Sequence, residues 1–274
     1  DYLKQQPAYA EVFAGLDDTK LHRGYIEQIL TQSEYRDFTK LYRFSSVKQR
    51  KFLDLYFRHY EVEVIKKLLR HMLGGREGQP DLSVFQDFFE KHSNLDLEAL
   101  CKAKNLAEFT DALGKSAYGD LLRQLLDKEQ NSLFDCELQL DLFYFQSLWK
   151  ARTKILSKAE RKILDACYGS RLDILNIQWI FRARSFYRLS PAQIYALLIP
   201  IHYRLRAETV KQLVEAEDDA KFFAVLKETP YGKLETEQTG QMPDVQLLSK
   251  QILDQIYGKT GRRYPHSPAV LDSY

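Results

Sequence analysis

Glycine and proline are scarce in this chain, with 12 Gly and 8 Pro in 274 residues. So few breakers favour long uninterrupted helices over a turn-rich sheet. Strand signals are missing too: no convincing run alternates apolar and polar residues, and no Asn-Gly or Asp-Gly hairpin occurs. No apolar stretch approaches the roughly 18 residues that span a bilayer, and no secretory leader pattern is visible. Cysteine is limited to Cys101, Cys136 and Cys167. Odd in number and without metal-type spacing, they read as reduced core thiols of a cytoplasmic chain. Charge of one sign is lacking overall, 40 Lys and Arg against 38 Asp and Glu, so the strong basic bias of a nucleic-acid-binding domain is absent. The six histidines never fall three or four residues apart, which removes the helical zinc pair.

What is present is ordinary for a soluble globular protein: 45% hydrophobic and 28% charged residues, in a chain long enough to bury a full-sized core. The charge is unevenly placed. Residues Asp81 to Asp141 hold 13 acidic and 6 basic side chains, and Lys150 to Lys211 hold 13 basic and 4 acidic. Two faces meeting different partners would produce this, and so would two solvated helical surfaces.

The chain also repeats itself. Glu61 to Arg70 (EVEVIKKLLR) is echoed by Asp173 to Arg182 (DILNIQWIFR), and Phe109 to Leu121 by Phe222 to Leu234, with Tyr118 matching Tyr231. Upstream, Ser46–Gln49 matches Ser157–Glu160. The offsets are 111, 112 and 113 in order, the pattern small loop insertions would produce. A fainter trace relates Leu3–Tyr9 to Leu113–Tyr118. Short-repeat solenoids have periods of roughly 20 to 50 residues, so this period predicts a few large helical units. They are placed near 10–118 and 119–231, with part of a third from 232, inside a single all-helical domain over 1–274. The sequence begins at Asp1 without Met and ends at Tyr274 within the third unit, so the chain is expected to be incomplete at both ends.

Helix starts are marked by the Ser/Thr-x-x-Glu/Gln spacing, in which side chain and backbone amide satisfy each other. It occurs at Thr31–Glu34, Ser46–Gln49, Ser157–Glu160 and Ser190–Gln193, the last with Pro191 at the tolerated first position. That helix should stop near Pro200. Gly74-Gly75 and Gly169 read as helix stops. Gly74–Pro80, Gly232–Pro243 and Gly258–Pro268 read as exposed loops. The helix from Leu172 to about Tyr187 is apolar on most of its circumference, Phe186 included, as in an element buried on several sides. Asp173, Asn176 and Arg184 fall within roughly 80° of one another at about 100° per residue. That polar stripe either lines a polar cavity or forms a satisfied buried network. Arg182 lies opposite Asp173 and is expected to contact a neighbouring element.

Catalytic patterns fail one by one. Gly114-Lys115-Ser116 lacks the Gly five residues before it, where Phe109 stands, and no strand precedes it. Asp17-Asp18 and Asp218-Asp219 suggest the metal-binding acid pairs of helical prenyl-transfer enzymes, but neither has a third carboxylate at the required spacing. They read as helix-end charges. No Gly-x-Ser-x-Gly elbow and no Cys–His signature stands out. The 17 Tyr and 16 Phe sit mostly at helical spacing among Leu and Ile, as core residues do.

Gly169 to Leu198 resembles the most recognisable block of the V/A-type ATPase central-stalk family, which includes the C subunits of bacterial and archaeal enzymes and the d subunit of eukaryotic ones. Asp173, Asn176, Ile177, Arg182 and Arg184 match its acid, Asn-Ile and Arg-x-Arg pattern, continued by Ile199-Pro200, Tyr203-Arg204-Leu205 and Thr229-Pro230-Tyr231-Gly232. Near the start, Leu30 to Tyr35 fits the family's early helix boundary. The family carries this block three times. Here the first copy, Glu61–Arg70, has Val64 where Asn is expected, and the third is cut off. The resemblance implies an all-α funnel of pseudo-threefold symmetry on the cytoplasmic side of the membrane rotor ring, receiving the lower end of the central stalk. It implies no catalysis, cofactor, metal, nucleic acid or direct small-molecule substrate, and partners that are central-stalk subunits and the ring of a proton or sodium pump. Asp173, Asn176, Arg182, Arg184, Glu61 and Arg70 are the candidate interface or cavity-lining residues. An unrelated helical scaffold is the alternative, and a prenyl-transfer enzyme a third reading.

Overall fold

The computed structural model describes residues 5, 7–14, 22–74, 82–127, 132–232 and 245–263. Among them every regular element is helical, the all-α class expected. Two compact units divide at Asp141 and Leu142, inside the helix Leu133–Ile155.

The first unit begins with α1 (Pro7–Phe13), α2 (Arg23–Phe44) and α3 (Val47–Leu73). Four short helices follow, α4 (Gln86–His92), α5 (Leu97–Lys102), α6 (Leu106–Ala112) and α7 (Ala117–Asp127), and then the start of α8 (Leu133–Ile155). Its core explains much of the aromatic content. Tyr35 stacks on Phe88 with centroids 4.0 Å apart, and Phe38, Phe57 and Tyr60 meet Phe88 in edge-on or tilted contacts. Such pairs add about 0.5–1.5 kcal/mol beyond the area they bury.

The second unit contains the rest of α8, then α9 (Lys158–Leu164), a π-helical turn (Asp165–Gly169) and α10 (Ser170–Ser185) as one continuous helical run. Then come α11 (Pro191–Leu197), α12 (Ala207–Val214), α13 (Asp219–Glu228) and α14 (Val245–Arg263). Its core gathers Ile174, Ile177 and Ile180 of α10 around Leu213, Phe222 and Tyr231.

Local signals decide several boundaries. Full capping boxes start α3 at Ser46, α9 at Ser157 and α11 at Ser190, the last with Pro191 in its first turn. The α11 helix ends at Leu197, before Pro200, and Gly74 caps α3. Thr31–Glu34 is a correction: it lies inside α2, where Thr31 Oγ1 donates to the Glu27 carbonyl at 2.9 Å. The chain before it is already helical, started by His22, whose Nδ1 accepts from the Tyr25 amide at 3.2 Å. Gly169 is no helix stop either. A Cβ there would stand 2.7 Å from Cγ of Tyr203 and 3.0 Å from Cη2 of Trp149, so glycine is required by close packing. Gly258 and Gly261-Arg262-Arg263, read as loop, belong to α14. Phe186 follows the end of α10 and is 72% exposed rather than buried. Asp17-Asp18, residues 75–80, 233–243 and 264–268, and Leu3, Lys4 and Gln6 of the Leu3–Tyr9 trace lie outside the described residues.

The π-turn explains the change in repeat offset. Ser46 stands 15 residues before Glu61 within α3, whereas Ser157 stands 16 before Asp173. No loop intervenes in either copy. One extra residue has entered the second copy's helix and is absorbed by the wider i→i+5 turn at Asp165–Gly169.

Candidate functional site

Four of the six candidate residues belong to α10. Asp173 is fully buried, and its carboxylate is enclosed by donors. Three successive backbone amides of the α11–α12 loop reach it: Tyr203 at 3.1 Å, Arg204 at 2.6 Å and Leu205 at 3.1 Å. The Tyr231 hydroxyl donates to the same carboxylate at 2.7 Å. Consecutive amides pointing inward form a concavity that suits an anion, and here the anion is the protein's own side chain. Burial, and then the Asp173 charge, push the Tyr231 phenol well above its ordinary pKa, which keeps it a donor.

One turn along the same face, Asn176 pairs with both backbone groups of Ile199. Its amide donates to the Ile199 carbonyl at 3.0 Å and its oxygen accepts from the Ile199 amide at 2.9 Å. Asp173 and Asn176 thereby hold both ends of the 199–205 loop, whose buried backbone would otherwise be unsatisfied. Arg184 holds the α12–α13 turn. It donates to the carbonyls of Ala216 and Asp218, stands 3.9 Å from Asp219 and lies over the Phe222 ring at 5.6 Å. The polar stripe is thus a set of internal staples.

Arg182, on the opposite side, is exposed. Its side chain makes no hydrogen bond or ion pair among the described residues.

The first unit repeats the central feature. Glu61 of α3 accepts from the Tyr118 hydroxyl at 2.7 Å and from Ser93 Oγ at 2.5 Å. In both copies a carboxylate on the long helix closes on the tyrosine of the later Tyr-Gly pair. Tyr118 and Tyr231 are 5% and 1% exposed, and Phe109 and Phe222, also in register, are both 0% exposed. The copies differ where the side chains differ. The longer Glu61 is only half-buried and meets a serine hydroxyl, while the shorter Asp173 enters a cage of amides. Val64, in the position of Asn176, is a buried apolar residue.

Arg70 forms an ion pair with Glu137 at 2.5 Å. It also lines a cleft of about 620 Å³ with Glu27, Glu34, Glu63 and Lys67. Nearby, buried Lys66 bridges Glu63 at 2.9 Å and Asp141 at 2.8 Å. Sequence reading missed this bridge, because a single lysine in an apolar helix carries no partner signal.

The rejected motifs have local roles. Gly114-Lys115-Ser116 is the turn into α7, with Gly114 at φ 58° and Ser116 Oγ accepting from the Gly119 amide at 3.1 Å. Asp218 caps α13 through the Lys221 amide at 2.7 Å, and Asp219 accepts from Ser185 Oγ at 2.7 Å. No group of three or more His, Cys, Asp or Glu among the described residues is placed to hold a metal ion. Cys136 and Cys167 are buried, Cys101 is half-buried, and none of the three forms a disulfide among the described residues. No described helix is long and apolar enough to cross a membrane.

The model of one family, described as ATP synthase (C/AC39) subunit, matches residues 1–274. Curated relatives include the C subunit of the A-type ATP synthase of Methanosphaera stadtmanae, 25% identical over 215 residues that cover 76% of this chain and 54% of the relative. Its counterpart from Methanothermobacter thermautotrophicus is 26% identical over 66% of this chain and 46% of its own length. A third, from Methanobrevibacter smithii, is 28% identical over 52% of this chain and 37% of the relative. The chain spans about half the length of the curated relatives it matches, or less.

Proposed function

Since the chain belongs to the ATP synthase (C/AC39) subunit family, we propose that it is a non-catalytic rotor component that couples the central stalk of an A/V-type ATPase to the membrane rotor ring. In this role it lies peripherally on the cytoplasmic face and serves proton or sodium transport. Its partners are the other stalk subunits and the ring. The unrelated-scaffold and prenyl-transfer readings give way to the family match.

The observation that carries the proposal is the twice-built carboxylate–tyrosine clasp. A coupler must transmit load without its helical units yielding. Glu61–Tyr118 and Asp173–Tyr231 each tie a long helix to a segment 57 or 58 residues later in the chain, through charge-assisted bonds roughly twice as strong as neutral ones. These two acidic groups are engaged by their own chain rather than held ready for chemistry. Successive copies near 10–118 and 119–231, and a third beginning at 232, are part of the same proposal, as is the pseudo-threefold funnel.

Exposed Arg182 and the basic Lys150–Lys211 region are the candidates for meeting an acidic partner. Such contacts weaken as salt shortens the Debye length from about 30 Å at 0.01 M to about 3 Å at 1 M. Affinity capture of the chain from native membranes at low salt should recover ATPase stalk and ring subunits and lose them as salt rises. Recovery of unrelated soluble proteins alone would overturn the reading.

A further inference from the structure

We propose that the α2–α3 turn is a membrane-surface anchor, docking on anionic phospholipid headgroups through an apolar tip ringed by basic side chains. The anchor is separate from the coupling role, and what it meets is a lipid surface instead of a protein partner.

The tip is Phe44 and Val47, 84% and 73% exposed, the two most exposed large apolar side chains among the described residues. Ser45 and Ser46 lie between them. From Lys40 to Lys51 there are five basic residues, Lys40, Arg43, Lys48, Arg50 and Lys51, and no acidic one. Asp37 and Asp54 flank this segment. Asp37 accepts from Lys40 at 3.3 Å, on side chains that are more than two-thirds exposed, so solvent weakens that pairing.

Several polar groups of the turn are closed inward. Ser45 donates its amide to Tyr42 at 3.3 Å and its hydroxyl to Leu41 at 2.7 Å. The Ser46 amide donates to Gln49 Oε1 at 2.9 Å. Arg50 reaches back to the carbonyls of Tyr42 at 3.0 Å and Arg43 at 3.1 Å. With the Ser45 and Ser46 amides, both serine hydroxyls and the Leu41, Tyr42 and Arg43 carbonyls bonded within the chain, the turn enters a headgroup layer at a reduced desolvation cost. What it presents outward is apolar side chains and positive charge, the composition of an interfacial anchor.

A protein partner fits less well. Two apolar residues separated by serines on a turn offer little of the roughly 800 Å² per partner that a stable interface buries, whereas a bilayer interface is fluid and needs no preformed pocket. The corresponding turn of the second repeat supplies an internal contrast. Residues 151–162 keep five basic side chains with one acidic, Glu160. The apolar tip is gone, however: Ile155 is half-buried and Lys158 stands where Val47 does.

The test is cosedimentation of the full chain with phosphatidylcholine vesicles, with and without phosphatidylglycerol, together with Trp reporters at the two turns. The chain should bind the anionic vesicles, bind neutral ones weakly, and release as salt rises. Phe44→Ser with Val47→Ser should lower the partition at least about tenfold. Arg43→Gln with Lys51→Gln should lower it roughly 25-fold, about fivefold per charge. Phe44→Trp should shift to the blue and be quenched by brominated lipid, while Lys158→Trp should not; unchanged circular dichroism melts establish that each variant folds. No binding to anionic vesicles, equal binding to neutral ones, binding untouched by both double variants, or an unquenched Trp at 44 overturns the proposal. So does loss of an acidic protein partner by these variants with no vesicle binding at all.

Discussion

Tyr231→Phe removes one hydroxyl and nothing else, so it measures the buried clasp directly. The lost bond runs 2.7 Å to a fully buried carboxylate. Hydrogen bonds to charged groups are worth about 1.5–3 kcal/mol, and a buried acceptor left short of a donor keeps its desolvation cost. Asp173 retains three backbone amides, so a loss of about 2 kcal/mol is expected. Tyr118→Phe removes the same bond, also 2.7 Å long, from a half-buried Glu61. Water replaces the hydroxyl there, and a loss of about 0.5–1 kcal/mol is expected. In urea, with a slope of about 2 kcal/mol per molar, the midpoint should fall by about 1 M for Tyr231→Phe and by less than half that for Tyr118→Phe, with slopes unchanged. Because the folded state raises the Tyr231 pKa through burial and the neighbouring charge, the stability it gives is fully present below about pH 10, where the unfolded phenol titrates. It is lost as the pH climbs above that value. Tyr231→Phe should therefore lose stability less steeply in alkali than the natural chain, by up to about 1.4 kcal/mol per pH unit. Equal costs for the two substitutions, or an alkaline slope unchanged by Tyr231→Phe, would refute the reasoning.

Gly169→Ala gains about 1 kcal/mol of helix propensity but places a Cβ 2.7 Å from Tyr203 Cγ. Overpacking of about 1–3 kcal/mol should win, and a lowered melting temperature would show it. Lys66→Met leaves the half-buried Asp141 beside Glu63 without its cation. Burial already holds the Asp141 carboxyl above its usual range, so a cost of about 1–3 kcal/mol near neutral pH, between the exposed and the buried case, is expected, shrinking in acid as Asp141 takes up a proton. His92 sits among Phe38, Phe57 and Phe88 with Nε2 unbonded. Desolvation lowers its pKa despite Asp54, with Lys91 adding to the shift. A depressed folded value means stability present above about pH 6.5 and lost as pH falls through the folded value, and His92→Phe should flatten that acid decline in a pH-resolved melt.

What was legible in the sequence was local or periodic. The capping boxes at Ser46, Ser157 and Ser190 were readable because both partners sit three residues apart. The same spacing misled at Thr31, since the choice between helix start and helix middle is made by the residues before it. The repeat register made Tyr118 and Tyr231 equivalent, and the polar stripe on α10 was visible as spacing. The partners of that stripe were not: Asp173 and Asn176 bind mainly backbone amides and carbonyls of residues 199–205, groups every sequence has. Glycine is equally silent about its reason, so Gly169 read as a stop when its role is to admit Tyr203 and Trp149. The exposed tip at Phe44 and Val47 could have been suspected from the five basic residues around it, but solvent exposure comes only with the fold.

The central claim is coupling, and ATP-driven ion transport in membrane vesicles tests it most directly. ATPase complexes would be assembled with and without this chain, and both ion uptake and ATP hydrolysis by the detached soluble head would be followed. The account predicts that omitting the chain abolishes ion uptake while the head continues to hydrolyse ATP, and that adding it back restores uptake. Ion uptake that persists without the chain would contradict it.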